Sequence, residues 1–169
     1  MAIQPILKYP HPLLKRMAHR VKGFDSAISN LMQDLIDTMH AGPGSVGVAA
    51  PQIGVCLRAC VVDVSGNLRG KEDNHGLLCM LNPEILSRRG SAVMREGCMS
   101  VPDYTGDVER STEIIVRFFD GLDHQERLVA ASGFEAVAIQ HELDHLDGIL
   151  FIDRVINIST ELFSRKKYR

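Results

Sequence analysis

His141, Glu142 and His145 stand within "AVAIQHELDHLDGILF", residues 136–151. On a helix, residues four apart differ by about 40° in direction, so both imidazoles share a face and can reach one metal ion. Glu142 points roughly 100° away from His141, at the border of that face. A carboxylate there can reach water held beside the ion without itself becoming a ligand. The pattern HExxH therefore suits metal-assisted hydrolysis, with the ion acidifying a water and the glutamate taking and returning its proton. The stretch around it is apolar on most sides, so both histidines lie in or near a core and need partners there.

Two imidazoles do not hold a metal alone. Downstream, Asp147 and Asp153 are candidates for a further ligand, although Asp147, two past His145, faces the other way. Upstream, Cys98 lies in "REGCMSVP", near an expected strand end, where a thiolate would complete a His₂Cys site with one open position. Such donors suit zinc, iron, cobalt or nickel alike. Cys56, Cys60 and Cys79 sit in apolar runs and read as small core residues, and no CxxC pair or disulfide framework is indicated.

The elements that must position these residues follow from local patterns. "DSAISNLMQDLIDTMHA" is a helix capped by Asp25 or Ser26, with Ile28, Leu31, Met32, Leu35, Ile36 and Met39 at helical spacing. Gly42, Pro43 and Gly44 end it. "PLLKRMAHRV" is expected to form a short helix before it, and "SVGVAAPQIGV" an extended or looped segment. "VCLRACVVDV", "LLCMLNPEIL" and "SAVMREGCMSVP" read as strands, and "GNLRGKEDNHG" as a polar loop. "GDVERSTEIIVRFFDGLDHQERLVAAS" reads as a hairpin turning at "DGLDH", after which Ser132 and Gly133 open the histidine helix. "FIDRVINISTELFSRKKYR" is expected to close the chain as a helix with a basic end. The class is α+β: antiparallel or mixed sheets packed around a central metal-binding helix, with N-terminal helices and a C-terminal helix, in one domain over residues 1–169.

Composition narrows the function classes. Hydrophobic residues make up 45% of the 169 residues, enough for a substantial core. Charged residues make up 24%, with a net charge of −2, so no global charge draws the chain to membrane or to sequence-specific nucleic-acid binding. No apolar run spans a bilayer, and "MAIQPILKYP" lacks the regions of a signal peptide, so a cytoplasmic protein is expected.

Three segments together resemble the peptide deformylase family, whose pattern is a GxGxAAxQ stretch, an EGCLS stretch and an HExDH stretch. Here they read "SVGVAAPQ" (45–52), "EGCMS" (96–100) and "HELDH" (141–145), in the same order. The likeness covers nearly the whole chain. Two positions depart from the pattern: Ser45 replaces a glycine and Met99 a leucine. Met99 keeps an apolar side chain and its backbone N–H. Ser45 matters only if that position needs a backbone angle reserved for glycine.

The resemblance implies that Cys98, His141 and His145 hold the metal and that Glu142 is the general base and acid. It implies that the Gln52 side chain and the Met99 backbone N–H face a developing oxyanion, where each preformed donor is worth ~3 kcal/mol. The implied substrate is the N-terminal formyl-methionine of new polypeptides, bound as an added strand along Val46, Gly47 and Gly97. Its side chain would lie against Val46, Val137 and Ala138. Glu96, Arg110 and Asp144 are candidates to orient the ligands. The family implies one ferrous ion (Fe2+) per chain, replaceable by Zn2+, Ni2+ or Co2+ in preparations. A ribosome contact through Arg165, Lys166, Lys167 and Arg169 is a further expectation, the alternative being a solvated helix end. Two competing readings are a metallopeptidase using the same HExxH and a non-catalytic metal-binding, ribosome-associated relative.

Overall fold

A computed structural model describes residues 3–165. Among these described residues, eight strands form two antiparallel sheets. β1 (Gly47–Ala49), β2 (Ala59–Val62), β3 (Leu78–Arg89), β6 (Glu113–Asp120) and β7 (Glu126–Ser132) make a five-stranded sheet in that spatial order. β4 (Ala92–Cys98), β5 (Val101–Arg110) and β8 (Leu162–Ser164) make a three-stranded sheet in the order β4-β5-β8. The α+β class expected from the sequence is the class observed.

The five-stranded sheet is covered on both faces. On one lies α1 (Ser26–Ala41), whose start is set by the Asp25 carboxylate accepting the Ile28 N–H at 3.0 Å. Its Leu31, Met32, Leu35 and Met39 pack with Val48, Ala59, Val61, Cys79 and Leu81. On the other lies α2 (Gly133–Leu146), whose Ala136, Ile139, Leu143 and Leu146 pack with Cys60, Val62, Met80 and Val116. Alternation along β2 and β3 sends successive side chains to opposite cores, so Cys60 and Cys79 sit in different ones. The smaller sheet has its own core, in which Cys98, Val101 and Val108 meet Leu150, Phe151 and Val155.

Several local expectations change. "PLLKRMAHRV" holds only one 3-10 turn, Pro12–Lys15. "GDVER" belongs to β5 and pairs with β4, so the hairpin proper is β6–β7, running from Glu113↔Ser132 to Phe119↔Glu126. The expected C-terminal helix is absent from the described residues. The segment instead makes two short turns, α3 (Phe151–Arg154) and α4 (Ile158–Glu161), and then β8. Val155, Ile156 and Ile158 are β-branched and lower helix propensity, and Asn157 opens a new turn by accepting the Ser159 N–H. Leu162–Ser164 then gain ladder hydrogen bonds along β5, which a four-residue turn does not offer. Among the described residues no helix is long and apolar enough to cross a membrane.

Candidate active site

β4 ends at Cys98, and α2 passes that end with the face carrying His141 and His145. The ligand-type atoms of Cys98, His141 and His145 all lie within 4.8 Å of one another. His145 Nε2 is 3.2 Å from Cys98 Sγ. His141 turns its Nδ1 to Glu96 Oε2 at 2.7 Å, which leaves its Nε2 for the site. Burial works against a charged Cys98, yet the two neighbouring imidazoles outweigh it and hold the thiol well below its ordinary pKa. A buried thiolate with two convergent imidazoles fits one metal ion, in the donor set of a three-ligand site with an open position.

Glu142 is buried beside this cluster. Burial pushes its carboxyl up to about 7, against the downward pull of His141 and His145. Among the described residues its Oε2 has no hydrogen-bond partner, nor does His145 Nδ1. Gly47 approaches so closely that an added Cβ would lie 2.5 Å from Glu142 Oε1, so this carboxylate requires a glycine on β1.

Gln52 lies on the 3-10 turn Ala50–Ile53 and is buried. Its Oε1 accepts the Ala49 N–H at 2.9 Å, which fixes the amide's orientation. The Nε2 group then faces the cluster, donating to Ser100 Oγ at 3.1 Å with Cys98 Sγ at 3.4 Å. Ser100 also gives its backbone N–H to Cys98 Sγ at 3.4 Å. This serine went unnoticed in the sequence, although its place within "EGCMS" was the available signal.

Behind the cluster runs an ion network that is buried at Glu96, Arg110 and Asp144 and reaches the surface at Arg154. Arg110 donates to Glu96 through Nε at 2.7 Å and Nη2 at 3.0 Å, and to Asp144 through Nη1 at 2.5 Å. Arg154 completes it with hydrogen bonds to both Asp144 oxygens, at 2.5 and 2.6 Å. Burial tends to raise the Glu96 pKa, but hydrogen bonds from Arg110 and His141 bring it down to about 2. Glu96, Arg110 and Asp144, named from the sequence as candidates to orient the ligands, are thus hydrogen-bonded to one another through Arg110. Arg154 was missed, because nothing local ties it to a residue ten positions earlier.

The cluster opens into a cleft of about 250 Å³. Val46, Gly47, Gly97, Met99, Val137 and Ala138, all singled out from the sequence, line it together with Gln52, Glu96, Cys98, His141 and Glu142. Asp147 and Asp153 are elsewhere, paired with Arg58 and Lys15. Ser45 is not among the residues with positive φ, so its backbone needs no glycine, and its Oγ donates to the Gly47 carbonyl at 3.2 Å.

Comparison with known proteins agrees with this geometry. The family model described as polypeptide deformylase matches residues 3–161. A peptide deformylase of Syntrophobacter fumaroxidans is 43% identical over 166 residues, covering 98% of this chain and 94% of its own. One from Thermodesulfovibrio yellowstonii is 41% identical over 171 residues, covering 100% and 98%. The crystal structure of a peptide deformylase from Legionella pneumophila superposes with a TM-score of 0.84 at 36% identity, covering 93% of this chain and 88% of that one. The Acinetobacter baumannii class I type b enzyme with bound Met-Ala-Ser gives a TM-score of 0.84 at 32% identity, covering 91% and 99%.

Proposed function

The chain belongs to the polypeptide deformylase family, and from that premise we propose how its cleft removes the formyl group from the N-terminal formyl-methionine of newly made polypeptides and releases formate. The observation that carries the reading is the convergence of Cys98, His141 and the buried His145 at a cleft whose wall bears Cys98, His141, Glu142 and Gln52.

In this reading Cys98, His141 and His145 hold one divalent ion. When bound, the ion supplies Lewis acidity, acidifying water and polarising a carbonyl. The formylated chain end lies extended between β1 and β4, and the main chain at Val46, Gly47 and Gly97 gives affinity with little demand on sequence. The methionine side chain packs against Val46, Val137 and Ala138. Glu142 takes a proton from the attacking water as its oxygen bonds to the formyl carbon. The same carboxyl then protonates the methionine nitrogen as the C–N bond breaks, leaving formate and a free amine. The Gln52 amide and the Met99 backbone N–H donate to the oxygen that gains negative charge. The hydrogen bond from Ala49 to Gln52 keeps that amide turned the right way before substrate arrives.

Arg110 acts through Glu96, whose carboxylate fixes the His141 ring. The native ion is assigned as Fe2+, with Zn2+, Ni2+ or Co2+ in its place after handling in air, since two imidazoles and a thiolate accept all four. The activity belongs in the cytoplasm, in one catalytic domain over residues 1–169. A ribosome contact through the basic end remains part of the proposal, although Lys166, Lys167 and Arg169 lie outside the described residues.

The test uses protein prepared without oxygen and loaded with metal. It is given formyl-Met-Ala-Ser, acetyl-Met-Ala-Ser and Met-Ala-Ser, and formate and fragments are measured. Formate from the first alone supports the reading. Fragments from any peptide would make it a peptidase, and no reaction from metal-loaded protein would leave only a binding role.

A further inference from the structure

Two features of the chain converge on the rim of the cleft without having a part in the chemistry above. One is the polar loop between β2 and β3. It is tied to the first turn of α2, where the buried Glu135 carboxylate accepts the His75 backbone N–H and meets the ring Nδ1, each at 2.7 Å. Ser132 bonds Asp73 on the same loop. This docking carries Arg69 to the cleft, its guanidinium 5.9 Å above the Phe134 ring.

The other is the strand that replaces the expected C-terminal helix. β8 pairs with β5 through Leu162, Phe163 and Ser164, and the Arg165 N–H continues the ladder to the Asp103 carbonyl at 2.8 Å. Phe163 is covered by the Arg95 guanidinium, 3.5 Å from the ring centroid. Arg165 then leaves the sheet edge and lies over Gly97, so close that a Cβ at Gly97 would collide with its guanidinium. Gly97 therefore makes room for this arginine beside the path assigned to the substrate.

Three arginines thus line the cleft, and their charges are not equal. Arg95 is neutralised by Asp107, at 2.6 and 3.3 Å. Neither Arg69 nor Arg165 belongs to any of the ion pairs found among the described residues. The acids of the cleft do not offset them: Glu96 is engaged by Arg110 and His141, and Glu142 is buried at the floor. An extended peptide advances about 3.3 Å per residue, so with formyl-methionine as its first residue the second and third residues run along the cleft that these arginines line.

Resting on the deformylase reading, we propose that Arg69 and Arg165 make the cleft selective for formyl-methionyl peptides with a carboxylate on the second or third residue. Exposed ion pairs are individually weak and salt-sensitive, so two of them give a preference of about fivefold at low ionic strength.

The experiment compares formyl-Met-Ala-Glu-amide with formyl-Met-Ala-Lys-amide on the metal-loaded protein. The amide caps remove the terminal carboxylate. The Glu/Lys ratio of kcat/KM should be about fivefold, carried in KM, and fall toward one in the R69A/R165A double variant or at high salt. R69K/R165K should restore it, R165E should reverse it, and R127A, which removes a charge from the distant β6–β7 turn, should leave it intact. Calorimetric binding of the unformylated Met-Ala-Glu-amide and Met-Ala-Lys-amide gives the same comparison without catalysis. A ratio of one in the parent protein by both readouts, or a ratio unmoved in the double variant, overturns the proposal. Absence of formate with the binding preference intact would instead sink the deformylase reading and uphold the charged rim.

Discussion

The two helices that cover the five-stranded sheet bury very different chemistry. α1 turns Ile28, Leu31, Met32, Leu35, Ile36 and Met39 inward and keeps a polar outer face. α2 is buried nearly all round, and five of its buried residues are polar: Glu135, Gln140, Glu142, Asp144 and His145. Burying such groups costs stability unless each finds a partner. Glu135 has His75, Gln140 has Arg88 and the Ser111 main chain, and Asp144 has Arg110 and Arg154. The α2 atoms left without a partner among the described residues, Glu142 Oε2 and His145 Nδ1, belong to the HELDH segment itself. α1 holds the fold together, whereas α2 uses the fold's stability to hold reactive groups in place.

That contrast can be broken by substitution. The largest effect is expected for His145→Ala. Metal content should fall from about one ion per chain to near zero, because two donors do not make a site. Metal retained at the parent level would remove His145 from the ligand set. Next comes Arg110→Ala, which takes the buried cation from Glu96 and Asp144, leaving them only His141 and Arg154, and should cost roughly 3 kcal/mol in urea unfolding, with weaker metal retention. If only stability suffers, Arg110 has no part in orienting His141. On the other face, Leu35→Ala should cost about 2–5 kcal/mol while formate release per folded molecule stays near the parent value.

The smallest effect concerns alkali. Burial pushes the Cys79 thiol, on the α1 face, up to about 12, whereas an unfolded cysteine titrates near ~8.5. The unfolded chain therefore loses this proton first. The stability contribution is complete below about pH 8.5 and declines as pH rises toward 12. Cys79→Ala should lose less stability than the parent protein between neutral and alkaline pH, and equal losses would contradict the burial argument.

How much was legible in the sequence follows the same division. α1 and the β6–β7 hairpin showed themselves through local spacing and turn residues. On α2, HELDH pointed to a metal site, but Cys98 competed with Asp147 and Asp153 until the family likeness favoured it, and of these three the fold brings Cys98 to the histidines. The C-terminal strand was not legible, because Leu162–Ser164 become a strand only when β5 offers an edge. The pairing of Arg154 with Asp144 and the place of Arg165 over Gly97 were invisible for the same reason: these neighbours are distant in sequence. Ser45, which departs from the family pattern, proved a question of backbone angle that only the structure could answer.

The central claim is that Glu142 moves the proton in deformylation while the other three residues hold the ion. Glu142→Gln, prepared without oxygen beside the parent protein, tests it through metal content and formate release from formyl-Met-Ala-Ser in the same samples. The account predicts equal metal and a loss of formate release of roughly 10²–10⁴-fold. Undiminished formate release from the metal-loaded variant would contradict it.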